Sequence, residues 1–457
     1  MAAHALEKHL ALVGFMGAGK STLGPLLAER LGRPFVSVDE VVEARAGESV
    51  AEVFERHGEA EFRRREEEAA ADVLARRRLG VVELGGGALG SGRTRAALAA
   101  HAFTVHLETS PEEAWERVAG SGRPLARDSE AFRALLDERR PLYESADASA
   151  MDLDGVVLEA AGVHFASHRE LQASAVIADT HVAKLHGIDA TRTVPRGEAA
   201  KTLAEAERLW RGLTVDRTAT LGAIGGGSTT DLVGFVAATY LRGIAWTAVP
   251  STLVGQVDAA IGGKVGVDLP EGKNLVGVFH WPSQTLIDTT LLETLPEAER
   301  RNGLAEVVKT GLLLGEPLWE LGTDAQVRTC AAYKAGICLR DPFDRGERTQ
   351  LNLGHTFGHA LEAASGYTLS HGRAVALGLL AACRLSGLDH EAHVVESVLA
   401  PAPVSVDRDA AWAALQRDKK AVGGEIHLVL LERPGRPRLS SETEPARVRE
   451  ALDALIA

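Results

Sequence analysis

The segment that most constrains how this chain folds is a glycine-rich turn near the N-terminus. The apolar run LALV precedes Gly14-Phe-Met-Gly-Ala-Gly-Lys20-Ser21, and TLGPLLAERL follows it with helical spacing. This turn satisfies GxxxxGK[ST] between a predicted strand and a predicted helix, the setting in which the pattern cradles nucleotide phosphates. The lysine of such a loop reaches the β- and γ-phosphates, and the hydroxyl binds Mg²⁺. The residues expected to bind ATP are Gly17, Ala18, Gly19, Lys20, Ser21 and Thr22, with Ser21 on the Mg²⁺ ion.

A second glycine-rich turn, Gly225–Thr230, also joins a predicted strand to a predicted helix and implies a second α/β unit. At roughly 100–200 residues per domain, a chain of 457 residues holds several domains. Residues 144–165 lack strong helical periodicity, which places a boundary near Gly155, and helical patterns dominate after about Pro296. We predict an α/β P-loop domain at residues 1–155, a second α/β domain at 156–297 and a mostly helical domain at 298–457.

Charge and cysteine content exclude some classes of partner and location. Fifty Lys and Arg residues against 63 Asp and Glu residues give a net charge of −13, which repels nucleic acid and anionic membranes. No apolar stretch approaches the roughly 18 residues of a membrane span. Cys330, Cys338 and Cys383 form no CxxC pair, which favours a reducing compartment with the cysteines as buried apolar residues. We expect a cytoplasmic protein that binds small molecules and neither nucleic acid nor membranes.

Lysine is scarce in this chain, since only ten of the 50 basic residues are Lys. Arginine therefore serves nearly everywhere that a generic surface cation is needed. Ammonium is a compact point charge suited to a phosphate or carboxylate in a tight site, whereas guanidinium is a rigid planar fork. The remaining lysines are for this reason candidate ligand-binding residues, and eight of them fall in the motifs described here.

The N-terminal domain also carries one acid and several arginines that suit a small polyhydroxy acid. Asp39 follows the apolar run PFVSV, Arg63 lies in GEAEFRRRE, Gly85-Gly86-Gly87 follows VVEL, Arg123 lies in GRPL and Arg139 precedes PLY. Over residues 8–150, GFMGAGKST, FRRRE, GGG, RPL and RRPLY resemble shikimate kinase in the same order. The resemblance implies ATP-dependent phosphorylation of shikimate to shikimate 3-phosphate, with Lys20 and Asp39 as catalytic residues.

The same resemblance assigns the other ligand-binding residues of this domain. It implies that shikimate is bound by Asp39, Arg63, Gly86, Gly87 and Arg139, and that Arg123 closes over ATP. One departure concerns Ser37, because the family usually has an Asp there that helps to hold Mg²⁺ through water. A hydroxyl brings no charge, so Mg²⁺ affinity should fall. The competing hypothesis is a weakly active nucleotide-sensing module.

The second half combines a strand-end carboxylate with a possible metal site. AVIAD predicts a strand that ends at Asp179, where an acid suits a ribose hydroxyl, although the glycine turn that follows is not GxGxxG. His355 and His359 lie four residues apart on one helical face, and His371 follows after a short connection. Glu306 lies on an apolar helical stripe, where an unpaired charge is costly. Two histidines and one carboxylate make a divalent site with open positions, as catalytic zinc requires.

Cations and polar residues surround this predicted metal site, which indicates a small, strongly anionic substrate. Over residues 170–430 the segments PRGEAAKT, GGGSTTDLVGFVAATYLRGI, PSTLVGQVDAAIGGKVGVD, GKN, GLAEVVKTG, LNLGHTFGHALE, HGRAV and RDKKAVGG resemble 3-dehydroquinate synthase. The resemblance implies an α/β NAD-binding domain followed by a mostly helical metal-binding domain. It also implies a homodimer, because Arg242 comes from the neighbouring subunit in that family.

This second resemblance carries three sets of residues onto the chain. The metal ligands are Glu306, His355 and His371, for Zn²⁺ or Co²⁺. The residues around NAD are Asp179, Glu198, Lys201, Gly225, Gly226, Gly227, Asp231, Ser251 and Thr252. The substrate residues are Arg242, Asp258, Lys264, Lys273, Asn274, Lys309, Lys334, Arg348, Asn352, His359 and Lys419. Among these substrate residues, the catalytic ones are Lys264, Lys309, Lys334, Arg348, Asn352 and His359.

We therefore predict a bifunctional enzyme of aromatic-precursor (shikimate pathway) biosynthesis. The cyclase would convert 3-deoxy-D-arabino-heptulosonate 7-phosphate to 3-dehydroquinate and release phosphate, and His359 would relay a proton. Two departures are Arg373 in HGRAV, where the family has Glu, and Thr310, where it has Tyr. An inward Arg373 would lower metal affinity, whereas the simpler expectation is that it points to solvent. The rivals for this half are a related sugar-phosphate cyclase and a metal-dependent polyol dehydrogenase.

Overall fold

Both predicted α/β units are present, each around its own parallel sheet. A computed structural model describes residues 5–120, 128–421 and 426–457 of the chain. For residues 418–421 it describes the backbone only. The chain divides into two compact units, Met1–Gly162 and Val163–Ala457. The division falls after Gly162 rather than after residue 155, because helix Leu153–Ala160 packs within the first unit and the Ala160 carbonyl accepts from the Ala5 N–H.

The first unit is a parallel sheet with helices on both faces. Within its described residues, the strands are β1 (His9–Val13), β2 (Phe35–Ser37), β3 (Val81–Glu83), β4 (Ala102–Leu107) and β5 (Ala148–Ala150). The helices are α1 (Lys20–Arg30), α2 (Val38–Ala46), α3 (Val50–Leu74), α4 (Gly92–His101), α5 (Pro111–Val118), α6 (Ser129–Tyr143) and α7 (Leu153–Ala160). The strand order is β2-β3-β1-β4-β5. The central strand β1 is buried along its whole length, as its unbroken apolar run predicts for a sheet covered on both faces.

Strand order in this sheet positions the phosphate loop. After β1 the chain passes first to β2 and β3 on one side of β1 and then to β4 and β5 on the other side, so the strand order reverses at β1. Ligands of open α/β sheets bind at such a reversal, beyond the carboxyl ends of the strands. The loop between β1 and α1 leaves from this point. Gly19, directly before α1, has a φ of 90°, which favours glycine there.

The second unit begins with a larger parallel sheet, as predicted. Within its described residues, the sheet order is β6-β13-β10-β9-β7-β8. The strands of this unit up to residue 287 are β6 (Val163–Phe165), β7 (Ala175–Asp179), β8 (Arg192–Val194), β9 (Thr220–Gly225), β10 (Ala245–Pro250), β11 (Lys264–Leu269), β12 (Gly272–Phe279) and β13 (Gln284–Ile287). The helices of the same region are α8 (Thr180–His186), α9 (Leu203–Gly212) and α10 (Gly227–Thr239). Strands β11 and β12 form a separate antiparallel hairpin.

Helices dominate the remainder of the second unit, which confirms the predicted architecture. They are α11 (Glu297–Leu314), α12 (Thr323–Arg340), α13 (His355–Ala364), α14 (His371–Leu385), α15 (Asp389–Leu399), α16 (Arg408–Ala421) and α17 (Pro445–Asp453). The hairpin of β14 (Leu428–Arg433) and β15 (Arg436–Ser440) was not predicted from the sequence. The apolar run that begins β14 is only four residues long, but all four are buried in the helical core.

Glycines set how closely three of these helices approach one another. A β-carbon on Gly378 of α14 would overlap the carbonyl group of Gly354, the residue before α13. A β-carbon on Gly372, also in α14, would overlap the backbone of Asn302 in α11. Helices α11, α13 and α14 therefore meet backbone to backbone. In the described part of the chain, no helix has both the length and the apolar character needed to cross a membrane.

Substitution of Gly378 by alanine tests this close packing. Alanine favours a helix by about 1 kcal/mol over glycine, but the overlap with Gly354 should outweigh that gain. We expect Gly378→Ala to lower the free energy of unfolding of the second unit by roughly 1–3 kcal/mol, measured by urea denaturation. Gly322→Ala is the control, because nothing lies within 4 Å of a β-carbon there. Equal stability of the two variants would contradict the packing account.

Candidate active sites

The phosphate loop of the first unit has the predicted strand–loop–helix geometry. The Lys20 ammonium group donates to the carbonyls of Gly14 at 2.7 Å and Phe15 at 3.0 Å. Gly17 has a φ of 84°, and a β-carbon there would overlap the backbone of Ala114. In loops of this kind, the lysine and several backbone N–H groups bind the phosphate groups of a nucleotide. Ser21, in the first turn of α1, donates through its hydroxyl to Glu83 Oε1 at 2.5 Å.

An acid and two arginines lie beside the triple glycine. A β-carbon on Gly87 would overlap the guanidinium group of Arg63, so this arginine lies directly against the glycine backbone. Arg139 Nη1 donates to the Gly86 carbonyl at 3.3 Å. A β-carbon on Gly85 would lie 3.0 Å from Asp39 Oδ1. The structure thus brings Asp39, Arg63 and Arg139 to this glycine turn.

A buried glutamate that the sequence analysis did not single out completes this cluster. Glu66 is 2% exposed, and its Oε2 pairs with Arg63 Nη1 at 2.6 Å. Burial raises the pKa of Glu66, although the Arg63 guanidinium opposes this shift. The charge of Asp39 also raises the pKa of Glu66, and the charge of Arg139 lowers it. Glu66 therefore holds Arg63 in place from the interior, and its position three residues after Arg63 on α3 was the available signal.

A cavity of about 870 Å³ lies at the carboxyl ends of the strands in the second unit. The residues predicted around NAD that line it are Asp179, Glu198, Lys201, Gly226, Gly227, Asp231, Ser251 and Thr252. The predicted substrate and metal residues that line it are Lys273, Asn274, His359 and His371. Lys201 pairs with Asp231 at 2.6 Å and donates to Asn274 Oδ1, so it joins the two predicted sets. Residues of both predicted sets therefore line one cavity.

The three predicted metal ligands lie together, one from each of three helices. Each of Glu306 on α11, His355 on α13 and His371 on α14 offers a ligand atom within 4.8 Å of the other two. Glu306 Oε1 lies 3.0 Å from His371 Nε2 and 3.5 Å from His355 Nε2. Glu306 is only 1% exposed. Two imidazoles and one carboxylate suit a divalent ion such as zinc, so the residues fit the predicted metal.

The surroundings of these ligands orient them. His355 Nδ1 lies 3.1 Å from the Leu353 carbonyl, which it can bond as a donor, leaving Nε2 free to coordinate. His371 Nδ1 lies 3.7 Å from Glu362 Oε1. Burial opposes protonation of His371, but its contacts with Glu306 and Glu362 outweigh burial and raise its pKa to about 10. The two carboxylates therefore favour a positive charge at this position, which a bound divalent ion would supply in place of the proton.

Two buried lysines lie next to the metal ligands and share one aspartate. Lys309 Nζ lies 2.5 Å from Glu306 Oε2 and 2.8 Å from Asp258 Oδ2, and Lys334 pairs with Asp258 Oδ1. Asp258 lies on a short π-helical turn, Gly255–Ala259. Burial raises the pKa of Asp258, but the two ammonium groups outweigh burial and hold it at about 2. The same carboxylates raise the pKa of Lys309 despite its burial.

Comparisons with known proteins decide the family. Family models match shikimate kinase at residues 16–161, the 3-dehydroquinate synthase N-terminal region at 191–302 and its C-terminal region at 303–421. A bifunctional shikimate kinase/3-dehydroquinate synthase from Thermotoga maritima is 33% identical over 97% of this chain and 99% of that protein. The chain belongs to the bifunctional shikimate kinase/3-dehydroquinate synthase family. It is therefore an enzyme with a kinase unit and a synthase unit.

Two further relatives match the synthase unit. The 3-dehydroquinate synthase of Symbiobacterium thermophilum is 38% identical over 70% of this chain and 99% of that protein. Among solved structures, ValA, a 2-epi-5-epi-valiolone synthase from Streptomyces hygroscopicus subsp. jinggangensis 5008 with NAD⁺ and Zn²⁺ bound, superposes with a TM-score of 0.57. It is 26% identical and covers 64% of this chain and 95% of that chain. These matches agree with the two-part fold of the synthase unit.

Several predicted substrate residues of the synthase unit lie away from the cavity wall. Arg348 donates to the carbonyls of Gly262 at 2.9 Å and Pro342 at 3.4 Å, and Lys264 pairs with Asp344. Asn352 ends a 3₁₀ turn before α13. Arg242 is exposed and forms no hydrogen bond or ion pair with the residues that the structure describes. These four residues do not line the cavity, and neither do Asp258, Lys309 and Lys334 beside the metal ligands.

The remaining predicted features are two residues outside the described part of the chain and the unusual Arg373. Arg123 of the kinase unit lies outside the described residues, and so does the Lys419 side chain of the synthase unit. Arg373 donates to the carbonyls of Ala402 and Pro403, at 3.0 Å each. It is exposed and points away from the metal ligands, so its charge does not oppose a metal. The three cysteines are free and buried, as expected.

Two acidic residues of the synthase unit that were not predicted from the sequence pair with predicted cations. Glu362 is 3% exposed, and it lies 3.5 Å from Lys273 Nζ and beside His371. Its position, seven residues after His355, places it on the same face of α13, which was a usable signal. Asp344, the partner of Lys264, follows α12 in an irregular loop and gave no such signal. The acidic partners of these cations are thus harder to predict from the sequence than the cations themselves.

Removal of the shared aspartate charge tests the lysine pair. We expect Asp258→Asn to lower the free energy of unfolding by roughly 2 kcal/mol at neutral pH, measured by urea denaturation. This loss is smaller than the ~3–5 kcal/mol lost when one partner of a fully buried ion pair is removed, because the Asp258 side chain is 22% exposed. The folded pKa lies below the unfolded one, so the charge stabilises the fold at neutral pH.

The matched control for this prediction is the same substitution in a more exposed ion pair. Asp344→Asn removes the partner of Lys264, whose side chain is 50% exposed, and should cost less than about 1 kcal/mol. If the two variants lost the same stability, burial of Lys309 and Lys334 would not be what makes Asp258 important.

Proposed function

We propose that the kinase unit transfers the γ-phosphate of ATP to shikimate and forms shikimate 3-phosphate. The observation that carries this proposal is the cluster of Asp39, Arg63 and Arg139 at the glycine turn of the sheet that carries the phosphate loop. The arginines would hold the substrate carboxylate, and Asp39 would accept the proton of the attacking hydroxyl. Lys20 would leave its carbonyl partners for the phosphate oxygens, and Ser21 would hold Mg²⁺.

We further propose that the synthase unit converts 3-deoxy-D-arabino-heptulosonate 7-phosphate to 3-dehydroquinate and phosphate. The metal-ligand cluster at the edge of the 870 Å³ cavity carries this proposal. A bound divalent ion, zinc or cobalt, would polarise a substrate hydroxyl, and bound NAD would accept and return one hydride. Glu306, His355 and His371 would hold the ion, and the cavity residues from Asp179 to Thr252 would hold NAD. The NAD⁺ and Zn²⁺ in the ValA structure support both assignments.

The charged groups of the synthase unit would mainly fix one conformer of an anionic substrate. Lys309 and Lys334 are compact buried cations, and their ion pairs with Asp258 fix the positions of both ammonium groups. His359 lies one helical turn from His355 and lines the cavity. Desolvation and the neighbouring His355 lower the pKa of His359 to about 4, and the residue is exposed to solvent. At neutral pH it is uncharged and can exchange a proton with the substrate.

Two other functions of the synthase scaffold give different products. ValA is a 2-epi-5-epi-valiolone synthase rather than a 3-dehydroquinate synthase, so a related sugar-phosphate cyclase is the second candidate. A metal-dependent polyol dehydrogenase is the third. Release of inorganic phosphate without net NADH excludes the dehydrogenase, and identification of the carbocyclic product separates the cyclases.

The two chemistries should be separable by single substitutions in the full chain. Lys20→Ala should abolish shikimate phosphorylation and leave cyclisation unchanged, because it removes the phosphate-binding cation of the kinase unit alone. His355→Ala should abolish cyclisation and leave phosphorylation unchanged, because it removes one metal ligand of the synthase unit. Coupled assays of ADP release and phosphate release measure both. Loss of both activities in either variant would contradict two independent sites.

We also propose that the synthase unit is a homodimer in which Arg242 acts on the substrate of the neighbouring subunit. Leu241 and Arg242 have φ values of 51° and 65°, a conformation that side chains rarely adopt, and both are exposed. Such strain at an exposed residue is typical of a functional position. Exposure without a partner among the described residues fits a side chain that completes a second copy of the site.

Mixed dimers test this proposal. Arg242→Ala and His355→Ala should each abolish cyclisation alone, but a refolded mixture should recover roughly a quarter of wild-type activity. Recovery is expected because half of the dimers are mixed, and one site in each mixed dimer then has both residues intact. A mixture of His355→Ala and His371→Ala is the control and should stay inactive, since both residues belong to the same subunit's site. If the first mixture also stays inactive, Arg242 does not act across the interface.

A further inference from the structure

Glu83 occupies a position in the kinase unit that none of the predicted roles includes. It is the last residue of β3, which lies between β1 and β2 in the sheet. In strand register, Glu83 is paired with Leu12 of β1 on one side and with Ser37 of β2 on the other. The residue therefore stands at the carboxyl end of the sheet, where the phosphate loop leaves β1.

The carboxylate of Glu83 is in direct contact with the hydroxyl that the phosphate loop offers to a metal. Ser21 Oγ donates to Glu83 Oε1 at 2.5 Å, and neither side chain is buried. Because the hydroxyl gives its hydrogen to Glu83, its lone pairs stay available to a cation on the phosphate side. Mg²⁺ prefers such hard oxygen ligands, usually one or two from carboxylates or hydroxyls together with phosphate oxygens. The oxygens of Ser21 and Glu83 therefore fit a magnesium ion.

Other nearby groups do not supply this charge. Ser37, the strand neighbour of Glu83, is uncharged and only 6% exposed. Glu66 is committed to Arg63 in the arginine cluster. Asp39 lies near Glu66 on the same side of the glycine turn. Among the described residues, Glu83 is the acid whose carboxylate contacts Ser21.

We propose that Glu83 supplies the negative charge of the Mg²⁺ site in the kinase unit, in place of an acid at position 37. The carboxylate binds the ion directly or through a water molecule, and Ser21 lies between it and the nucleotide phosphates. Glu83 thus offsets the loss of Mg²⁺ affinity expected from Ser37. This inference rests on the proposed kinase function, because it assigns Glu83 to the ion that accompanies ATP.

A purely structural role for Glu83 would have a different consequence. As a partner of Ser21, Glu83 could simply fix the first turn of α1. Glutamine at position 83 still accepts a hydrogen bond from Ser21 but carries no charge. A structural role would therefore survive Glu83→Gln, whereas a metal-holding role would not.

The experiment measures metal binding by the ADP complex of the full chain, independently of activity. Electron paramagnetic resonance counts bound Mn²⁺, used here in place of Mg²⁺, and calorimetry measures ADP affinity without a metal. We expect Glu83→Gln to weaken Mn²⁺ binding to the ADP complex by roughly tenfold to a hundredfold. Metal-free ADP affinity should remain within about twofold, because the phosphate loop is unchanged.

Two further variants sharpen the result. Ser37→Asp combined with Glu83→Gln returns a carboxylate on the neighbouring strand in the same register, and should restore much of the Mn²⁺ affinity. Glu29→Gln, at the exposed far end of α1, makes the same change in charge and should leave Mn²⁺ binding unaltered.

The outcomes separate the inference from the proposed function. Wild-type Mn²⁺ affinity in Glu83→Gln would overturn the role of Glu83, and so would an equal loss of ADP binding with and without metal. Failure of the wild-type chain to bind ADP at all would overturn the kinase function itself, and the inference with it.

Discussion

A buried carboxylate organises the synthase site. Glu306 is almost fully enclosed on α11, yet it stays ionised because Lys309, His355 and His371 surround it. Burial raises its pKa, but these neighbours outweigh burial and hold the pKa well below its usual value. An isolated charge at this depth would cost several kcal/mol. The fold must therefore keep α13 and α14 close to α11, and the glycine contacts at Gly372 and Gly378 make that distance possible.

The kinase unit uses the same principle with different groups. Glu66 is as deeply buried as Glu306, and it holds a guanidinium group rather than a metal ligand. Arg63 can reach the site because Gly87 has no side chain to displace it. In each unit, then, an interior glutamate fixes a cation or ligand of the proposed site, and glycine backbone provides the room. Fixed charges of this kind need no rearrangement as the reaction proceeds.

What could be predicted from the sequence depends on whether the signal is local. The phosphate loop and the histidines of α13 are short motifs whose geometry follows from strand-to-helix and i, i+4 spacing, and both lie as predicted. Glu83 could not be found in this way, because its proposed role depends on which strands are neighbours in the sheet. The β14–β15 hairpin was missed for a related reason, since its burial comes from packing on the helical core. The proposed position of Arg242 at a second subunit likewise does not follow from one chain.

The scarcity of lysine is explained best by burial. Among the described residues, the lysines with less than a tenth of their surface exposed are Lys20, Lys201, Lys309 and Lys334, and all four lie in the predicted sites. A guanidinium group spreads its charge over a planar fork and needs several acceptors, whereas an ammonium group fits between two or three oxygens. Lys309 illustrates the difference, because its Nζ atom lies between the carboxylates of Glu306 and Asp258 at 2.5 and 2.8 Å. An arginine there would displace one carboxylate, so this position retains lysine in a chain that otherwise uses arginine for most of its cations.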